Sequence, residues 1–194
     1  MYKSTISKDE LAELPSMAFE GKIHCIDKLA DVEPAVRYLK QHSVLGFDSE
    51  TKPAFKKGVV NNVCLLQLST KDHAFLFRLN VIGFLPEIAS ILSSRRIKKI
   101  GVGIHDDILG LKKINSFKHA NFVELQSMVQ EVGIENISLK KLCGIVLGGK
   151  ISKKQQVSNW EKVELSDSQK KYAATDAWAA LKIYDELCSC YNFK

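Results

Sequence analysis

The sequence predicts a single α/β domain built on a mixed β-sheet that is flanked by helices on both faces. Strand-like runs at Val63–Ser69 and Ala74–Leu79 are separated only by residues 70–73, so they form an antiparallel hairpin. Helical and strand-like segments then alternate along the chain, as in layered α/β domains. The length of 194 residues and the 45% hydrophobic content suit one buried core. We therefore expect residues 1–194 to form one domain, with 1–20 as a peripheral segment.

Capping residues and hydrophobic spacing predict the elements that precede the hairpin. Ser7 and Glu10 form a capping-box pattern that opens a short helix. Asp31 is expected to cap the next helix, whose apolar residues recur at helical spacing through about Gln41. The two predicted strands of this region are Lys22–Ile26 and Val44–Glu50.

The elements after the hairpin alternate in type. They are helices at Phe84–Leu92, Asp106–Ile114, Leu125–Val132 and Ser138–Val146, with strands at Lys98–Val102 and Asn121–Glu124. A loop rich in glycine and lysine, 148–159, leads to a last helix that Ser166 caps and that runs to about Cys190. This order is the one that a ribonuclease-H-like core requires.

Positive charge is concentrated in the C-terminal half of the chain. The net charge is +6, and residues 95–171 alone contain 15 Lys and Arg against 8 Asp and Glu. Such asymmetry favours a polyanionic partner, with a basic solvated surface as the alternative.

The N-terminus and the cysteines bear on the compartment. The N-terminus has no apolar segment of a secretory signal, and no run approaches the length of a membrane span. The five cysteines are odd in number, show no CxxC pairing and mostly lie in apolar segments, so we expect buried free thiols. These features predict a cytoplasmic (intracellular) protein without membrane attachment.

Asp48 and Glu50 stand one residue apart where the strand Val44–Glu50 ends. Successive side chains of a strand alternate faces, so the two carboxylates project from the same side. Their mutual repulsion would be relieved by a bound cation, and hard divalent ions prefer carboxylate oxygens. The pair therefore predicts half of a metal site; the alternative is a strand that runs into a solvated acidic turn.

The last helix carries Tyr172 and Asp176 one turn apart, hence on one face. The alanines that flank this face would let the helix lie close to the sheet, and a lone buried carboxylate is costly. Asp176 is thus a candidate metal ligand. The alternative is an aspartate at the rim of the helix that pairs with Lys170 or Lys182.

Two adjacent aspartates begin the helix after the strand Lys98–Val102, and helical phase separates them. Ile104, Ile108 and Leu111 form one apolar stripe. Asp107 lies about 60° from that stripe, whereas Asp106 points to nearly the opposite side. We therefore predict that Asp107 faces the site and that Asp106 complements the helix dipole.

Together these motifs resemble the DEDDy branch of the DnaQ-like 3′→5′ exonucleases. The D-x-E motif is matched by Asp48 and Glu50, the helical aspartate by Asp107, and the Y-x-x-x-D motif by Tyr172 and Asp176. The flanking runs 64–69, 99–103, 138–142 and 158–160 are similar to the Werner-type exonuclease domain and the ribonuclease D catalytic domain. The resemblance extends from about residue 23 to 187.

The resemblance implies two-metal hydrolysis of nucleic-acid phosphodiesters from the 3′ end, with release of nucleoside monophosphates. Two Mg²⁺ or Mn²⁺ ions, about 4 Å apart, would be held by the carboxylates. Asp48 would bridge both ions, Glu50 and Asp176 would complete one site, and Asp107 would support the other. Tyr172 would orient the attacking water, because its phenol is a poor free base at neutral pH.

The resemblance also implies a nucleic-acid partner with a single-stranded or recessed 3′ end. Ser49 and Thr51 would offer main-chain contacts to the terminal nucleotide. Trp160 is expected to be either a structural plug or a wall near the strand. Candidate phosphate contacts, each with a solvated surface as the alternative, are Lys52, Lys56, Lys57, Lys153 and Lys154.

The sequence leaves three functions open. They are an exonuclease on DNA, which the sequence favours, an exoribonuclease that trims RNA ends, and a nucleic-acid-binding module without catalysis. The presence of all five catalytic-type residues disfavours the third.

Overall fold

The structure, a computed structural model, describes residues 2–54 and 61–193. Lys56 and Lys57, two candidate phosphate contacts, lie outside the described residues. The strands are β1 (Lys22–Ile26), β2 (Val44–Thr51), β3 (Val63–Ser69), β4 (His73–Phe77), β5 (Lys98–Gly101) and β6 (Phe122–Glu124). The helices are α1 (Lys8–Glu13), α2 (Leu29–Leu39), α3 (Leu79–Ile82), α4 (Pro86–Leu92), α5 (Ile104–Ile114), α6 (Leu125–Glu131), α7 (Leu139–Leu147) and α8 (Asp167–Cys190).

Within the described part of the chain, six strands form one mixed sheet in the order β1-β4-β3-β2-β5-β6. The hairpin β3–β4 and the pair β2–β3 are antiparallel, whereas β1 pairs with β4, and β5 with β2 and β6, in parallel. This confirms the predicted α/β class and the antiparallel hairpin. The order places β2, which ends in the two carboxylates, inside the sheet rather than at its edge.

The two faces of the sheet are covered by different helices. Apolar residues of α2, α4 and α5 pack on one face with the side chains of Leu45 and Phe47 from β2. On the other face α8 crosses β2 and β3, and its buried alanines allow a close approach. Gly46 shows how close: a Cβ added there would lie 1.9 Å from the carbonyl oxygen of Ala177. A side chain at position 46 would therefore push α8 away from the sheet.

The segment before β1 packs against the body of the domain. Its buried side chains are Ile6, Leu11 and Phe19. Ser16 forms a parallel bridge with Lys150, and the main-chain amide of Phe19 donates to Thr175 Oγ1 at 3.0 Å. The segment predicted to be peripheral thus borders the loop before α8 and α8 itself.

Several local predictions need correction. Helix α2 begins at Leu29, with Lys28 as N-cap, so Asp31 lies in the first turn, where its charge complements the dipole. The turn α3 was not predicted, because four residues carry too little periodicity. The cysteines are free, as expected, but only Cys64 and Cys143 are buried, while Cys188 and Cys190 are exposed at the end of α8.

Among the residues that the structure describes, no helix combines the length and the apolar character needed to cross a bilayer.

Candidate active site

The C-terminal end of β2 presents Asp48 and Glu50 on the face that α8 covers. Asp48 lies opposite Gln67 of β3, and Glu50 lies opposite Leu65. The register then slips at Thr51, and Cys64 Sγ donates to the carbonyl oxygen of Glu50 at 3.3 Å. A bulge of this kind bends a strand and redirects the side chains beside it.

Helix α8 brings a third carboxylate to the same place. Asp176 is 7% exposed and lies near Asp48 and Glu50, with one ligand atom of each within 4.8 Å of the others. Its Oδ1 is buried without a hydrogen-bond partner among the described residues. The two lysines considered as rim partners are placed elsewhere: Lys170 pairs with Asp167, and Lys182 lies over the ring of Trp178. The structure thus favours the candidate metal ligand over the rim aspartate.

Asp107 approaches the site from the other side of β2. It is half-buried, and its Oδ1 accepts a hydrogen bond from Ser49 Oγ at 2.5 Å, whereas Asp106 is exposed. The helical phase predicted for the two aspartates is therefore the observed one. Asp107 does not belong to the cluster of three, but its charge raises the pKa of Asp48 and Glu50.

Glu124 fixes the start of α5 and was missed by the sequence analysis. Its carboxylate accepts from the amides of Gly103 (3.0 Å), Ile104 (2.9 Å) and Gln126 (3.0 Å), so it links α5 to α6. Gly103 has a φ of 71°, which favours glycine at this N-cap. A charged residue at the end of a short strand could have suggested such a cap, but its partners lie about twenty residues away.

The carboxyl groups of the site have raised pKa values, because they are buried and lie close to one another. Burial raises the pKa of Asp48 well above its usual range, and the three neighbouring carboxylates add to the rise. Burial, with the charges of Asp176 and Asp107, raises the pKa of Glu50 to about 9. Burial also raises the pKa of Asp176 to about 7, and that of Asp107 to about 6 against the opposing hydrogen bond from Ser49.

Tyr172 completes the wall of the site. It is 9% exposed and lines a cavity of about 220 Å³ together with Asp48, Glu50 and Asp176. Burial, followed by the nearby carboxylates, raises the pKa of its phenol above the usual range, so it remains protonated. Trp160 packs against it with ring centroids 5.9 Å apart and is fully buried, which supports the structural role for this tryptophan.

The residues present fit a divalent cation. Three carboxylates converge, one buried oxygen has no described partner, and burial together with the neighbouring carboxylates raises the pKa of Asp48 and of Glu50. Oxygen ligands of this kind are those that Mg²⁺ and Mn²⁺ prefer. The cluster can therefore hold a metal ion.

The remaining predicted contacts are placed around this cluster. Thr51 is exposed at the end of β2, and the Ser49 hydroxyl is committed to Asp107. Lys52 pairs with Glu161 at 3.1 Å, which leaves it less suited to a phosphate. Burial raises the pKa of Asp176, and the charge of the exposed Lys153 opposes that rise.

Comparison with known proteins agrees with this geometry. A profile of a 3′-5′ exonuclease family matches residues 23–190. The chain belongs to this 3′-5′ exonuclease family. That confirms the family and the enzyme class predicted from the motifs.

Three known proteins are similar to this chain in sequence or in fold. The chain is 34% identical to the mouse bifunctional 3′-5′ exonuclease/ATP-dependent helicase WRN, over 95% of this chain and 14% of WRN. The crystal structure of the Aedes aegypti Nibbler EXO domain superposes with a TM-score of 0.82 at 26% identity, over 90% of this chain and 92% of that one. Trypanosoma brucei RNase D in complex with RNA shares the fold, with a TM-score of 0.78 at 19% identity over 95% of this chain and 66% of that one.

The chain spans a minor part of the length of its curated relatives. It corresponds to between 14% and 42% of the length of four of them.

Proposed function

We propose that the protein is a divalent-metal-dependent 3′→5′ exonuclease that shortens a nucleic acid from its 3′ end and releases nucleoside monophosphates. The observation that carries the proposal is the convergence of three carboxylates to within 4.8 Å in a chain of the 3′-5′ exonuclease family. Two ions bound there would supply Lewis-acid activation of water and charge stabilisation at the scissile phosphate.

The carboxylates of the site would together bind Mg²⁺ or Mn²⁺. Asp48 would contribute to both metal positions, and Glu50 and Asp176 would complete one of them. Asp107 would support the second position, and its carboxylate is already oriented by the Ser49 hydroxyl. A carboxylate oriented by a hydrogen bond loses less conformational freedom when it binds a ligand.

Tyr172 would orient the attacking water by hydrogen bonding. Its raised pKa keeps the hydroxyl protonated at neutral pH, so it is a donor rather than a base. Its packing against Trp160 limits the motion of the ring. The main chain at Ser49 and Thr51 would contact the terminal nucleotide, which ends a single strand or a recessed 3′ end.

We propose DNA as the polymer and keep RNA as the alternative. The exonuclease linked to a helicase, WRN, is 34% identical to this chain. The neighbour whose structure contains RNA, RNase D, is 19% identical, so it supports the fold and does not carry its substrate over.

The test is the degradation of DNA and RNA oligonucleotides of one sequence, each labelled at the 5′ end in one set and at the 3′ end in the other, with Mg²⁺ or Mn²⁺. We expect stepwise shortening of the 5′-labelled strand, early release of the 3′ label as a mononucleotide, and no cleavage by Asp48→Ala. Long 3′-labelled fragments would indicate an endonuclease. Binding of the oligonucleotides without cleavage would support a nucleic-acid-binding module without catalysis. If folded Asp48→Ala cleaved as fast as the parent, the assignment of Asp48 as a metal ligand would be refuted.

A further inference from the structure

A second cavity adjoins the metal site on the other side of Tyr172. Its volume is about 220 Å³, and Met17, Ala18, Tyr172 and Thr175 contribute to its lining. The metal cavity is acidic, whereas this one has Lys154 and Lys171 in its lining and no carboxylate. We call it the Lys154–Lys171 pocket.

The polar groups of the pocket are divided between its interior and its rim. Thr175 is buried, and its hydroxyl is already engaged, because it donates to the carbonyl oxygen of Lys171 and accepts from the amide of Phe19. Lys154 and Lys171 are exposed, and neither forms an ion pair with another described residue. The pocket thus offers an apolar interior and two cationic groups that are open to a ligand.

This combination suits a nucleotide. The methionine, alanine and tyrosine side chains can cover the face of a nucleobase, and the lysines can contact phosphates. Nucleic-acid sites that lack sequence preference combine these two features.

One loop connects the two cavities. Lys154 and Gln155 line the Lys154–Lys171 pocket, and Gln156 lines the metal cavity. Tyr172 lines both cavities, so the two cavities are neighbours at this side chain.

We infer that the Lys154–Lys171 pocket binds a nucleotide of the substrate strand on the 5′ side of the scissile phosphate. This inference rests on the proposed function, since the occupant is a nucleotide of the same substrate. The metal cavity would hold the cleaved end, and the neighbouring pocket would hold the strand against the repulsion of the acidic cluster.

The test is binding of a single-stranded DNA of about twelve nucleotides, a length within the usual site sizes. Fluorescence anisotropy in EDTA measures Kd over a series of salt concentrations without cleavage. We expect Lys154→Ala and Lys171→Ala each to weaken binding roughly twofold to fivefold, as for one exposed charge contact. The slope of log Kd against log salt should fall by about 0.7 for each lysine that contacts a phosphate.

Three further variants separate binding in the pocket from general charge effects. Lys40→Ala removes an exposed lysine beyond the opposite end of β2 and should change neither Kd nor the slope. Ala18→Leu fills the pocket without altering charge, so it should weaken binding and leave the slope unchanged. Lys171→Arg, in contrast to Lys171→Ala, should keep most of the parental affinity and of the parental slope of log Kd against log salt.

The outcomes decide the inference separately from the proposed function. If Lys154→Ala and Lys171→Ala bind with the parental Kd and slope, or Lys40→Ala loses as much affinity, the pocket is not on the path of the strand. If Ala18→Leu binds as the parent does, no nucleotide enters the cavity. In each case a parent that still shortens oligonucleotides leaves the proposed function standing, and a parent that shortens none refutes that function instead.

Discussion

Replacement of Asp176 by asparagine should make the metal-free protein more stable at pH 8, although it removes a residue of the site. Asp176 is 7% exposed, and its Oδ1 has no hydrogen-bond partner in the described part of the chain. Burial raises its pKa from 3.8 to about 7. A carboxyl with a higher pKa in the folded than in the unfolded state binds more protons when folded, so its ionisation lowers the free energy of unfolding as pH rises.

The magnitude follows from the pKa. One pH unit corresponds to about 1.4 kcal/mol, so the rise from 3.8 to about 7 costs the folded state about 4 kcal/mol above pH 7. Water entry and adjustment of Asp48 and Glu50 reduce this cost, and we expect Asp176→Asn to gain about 2 kcal/mol at pH 8. The gain should shrink as pH falls from about 7 to about 4, because the parental carboxyl is then protonated.

The assay is urea unfolding of the parent and of Asp176→Asn in EDTA, at pH 5 and at pH 8. Asp106→Asn serves as the control, because Asp106 is exposed beside the site and should show no such gain. Added Mg²⁺ or Mn²⁺ should stabilise the parent more than Asp176→Asn, since a ligand of the folded state raises the free energy of unfolding. If Asp176→Asn is no more stable than the parent at pH 8, or gains as much at pH 5, the reasoning from desolvated carboxylates is refuted.

Three further predictions test the geometry of the site. Asp107→Asn should lower the rate of oligonucleotide cleavage at saturating Mg²⁺ by about two orders of magnitude, and Asp106→Asn should leave it nearly unchanged; the reverse order would refute the assignment of Asp107. Gly46→Ala should lower the free energy of unfolding by about 3 kcal/mol in urea, since the new Cβ would lie 1.9 Å from a carbonyl oxygen of α8; parental stability would contradict this close approach. Gln67→Leu should raise the free energy of unfolding of the metal-free protein by about 1 kcal/mol, because both polar atoms of this buried amide lack described partners; a loss of stability would contradict this reasoning.

Local periodicity predicted much of the fold and of the candidate site. The capping boxes of Ser7 and Ser166 begin α1 and α8 as predicted, because their hydrogen bonds involve residues three positions apart. Strand alternation placed Asp48 and Glu50 on one face of β2. Helical phase separated Asp107 from Asp106, since the direction of a side chain on a helix depends only on position along it.

The contacts between segments that lie far apart along the chain could not be predicted from the sequence. The approach of Asp176 to within 4.8 Å of Asp48 depends on how closely α8 lies on the sheet, which Gly46 and the buried alanines decide together. The hydrogen bond from Ser49 to Asp107 and the binding of the α5 amides by Glu124 depend on the packing of α5 beside the sheet. A pattern fixes the face on which a residue lies, whereas distance, burial and therefore pKa depend on every element packed around that face.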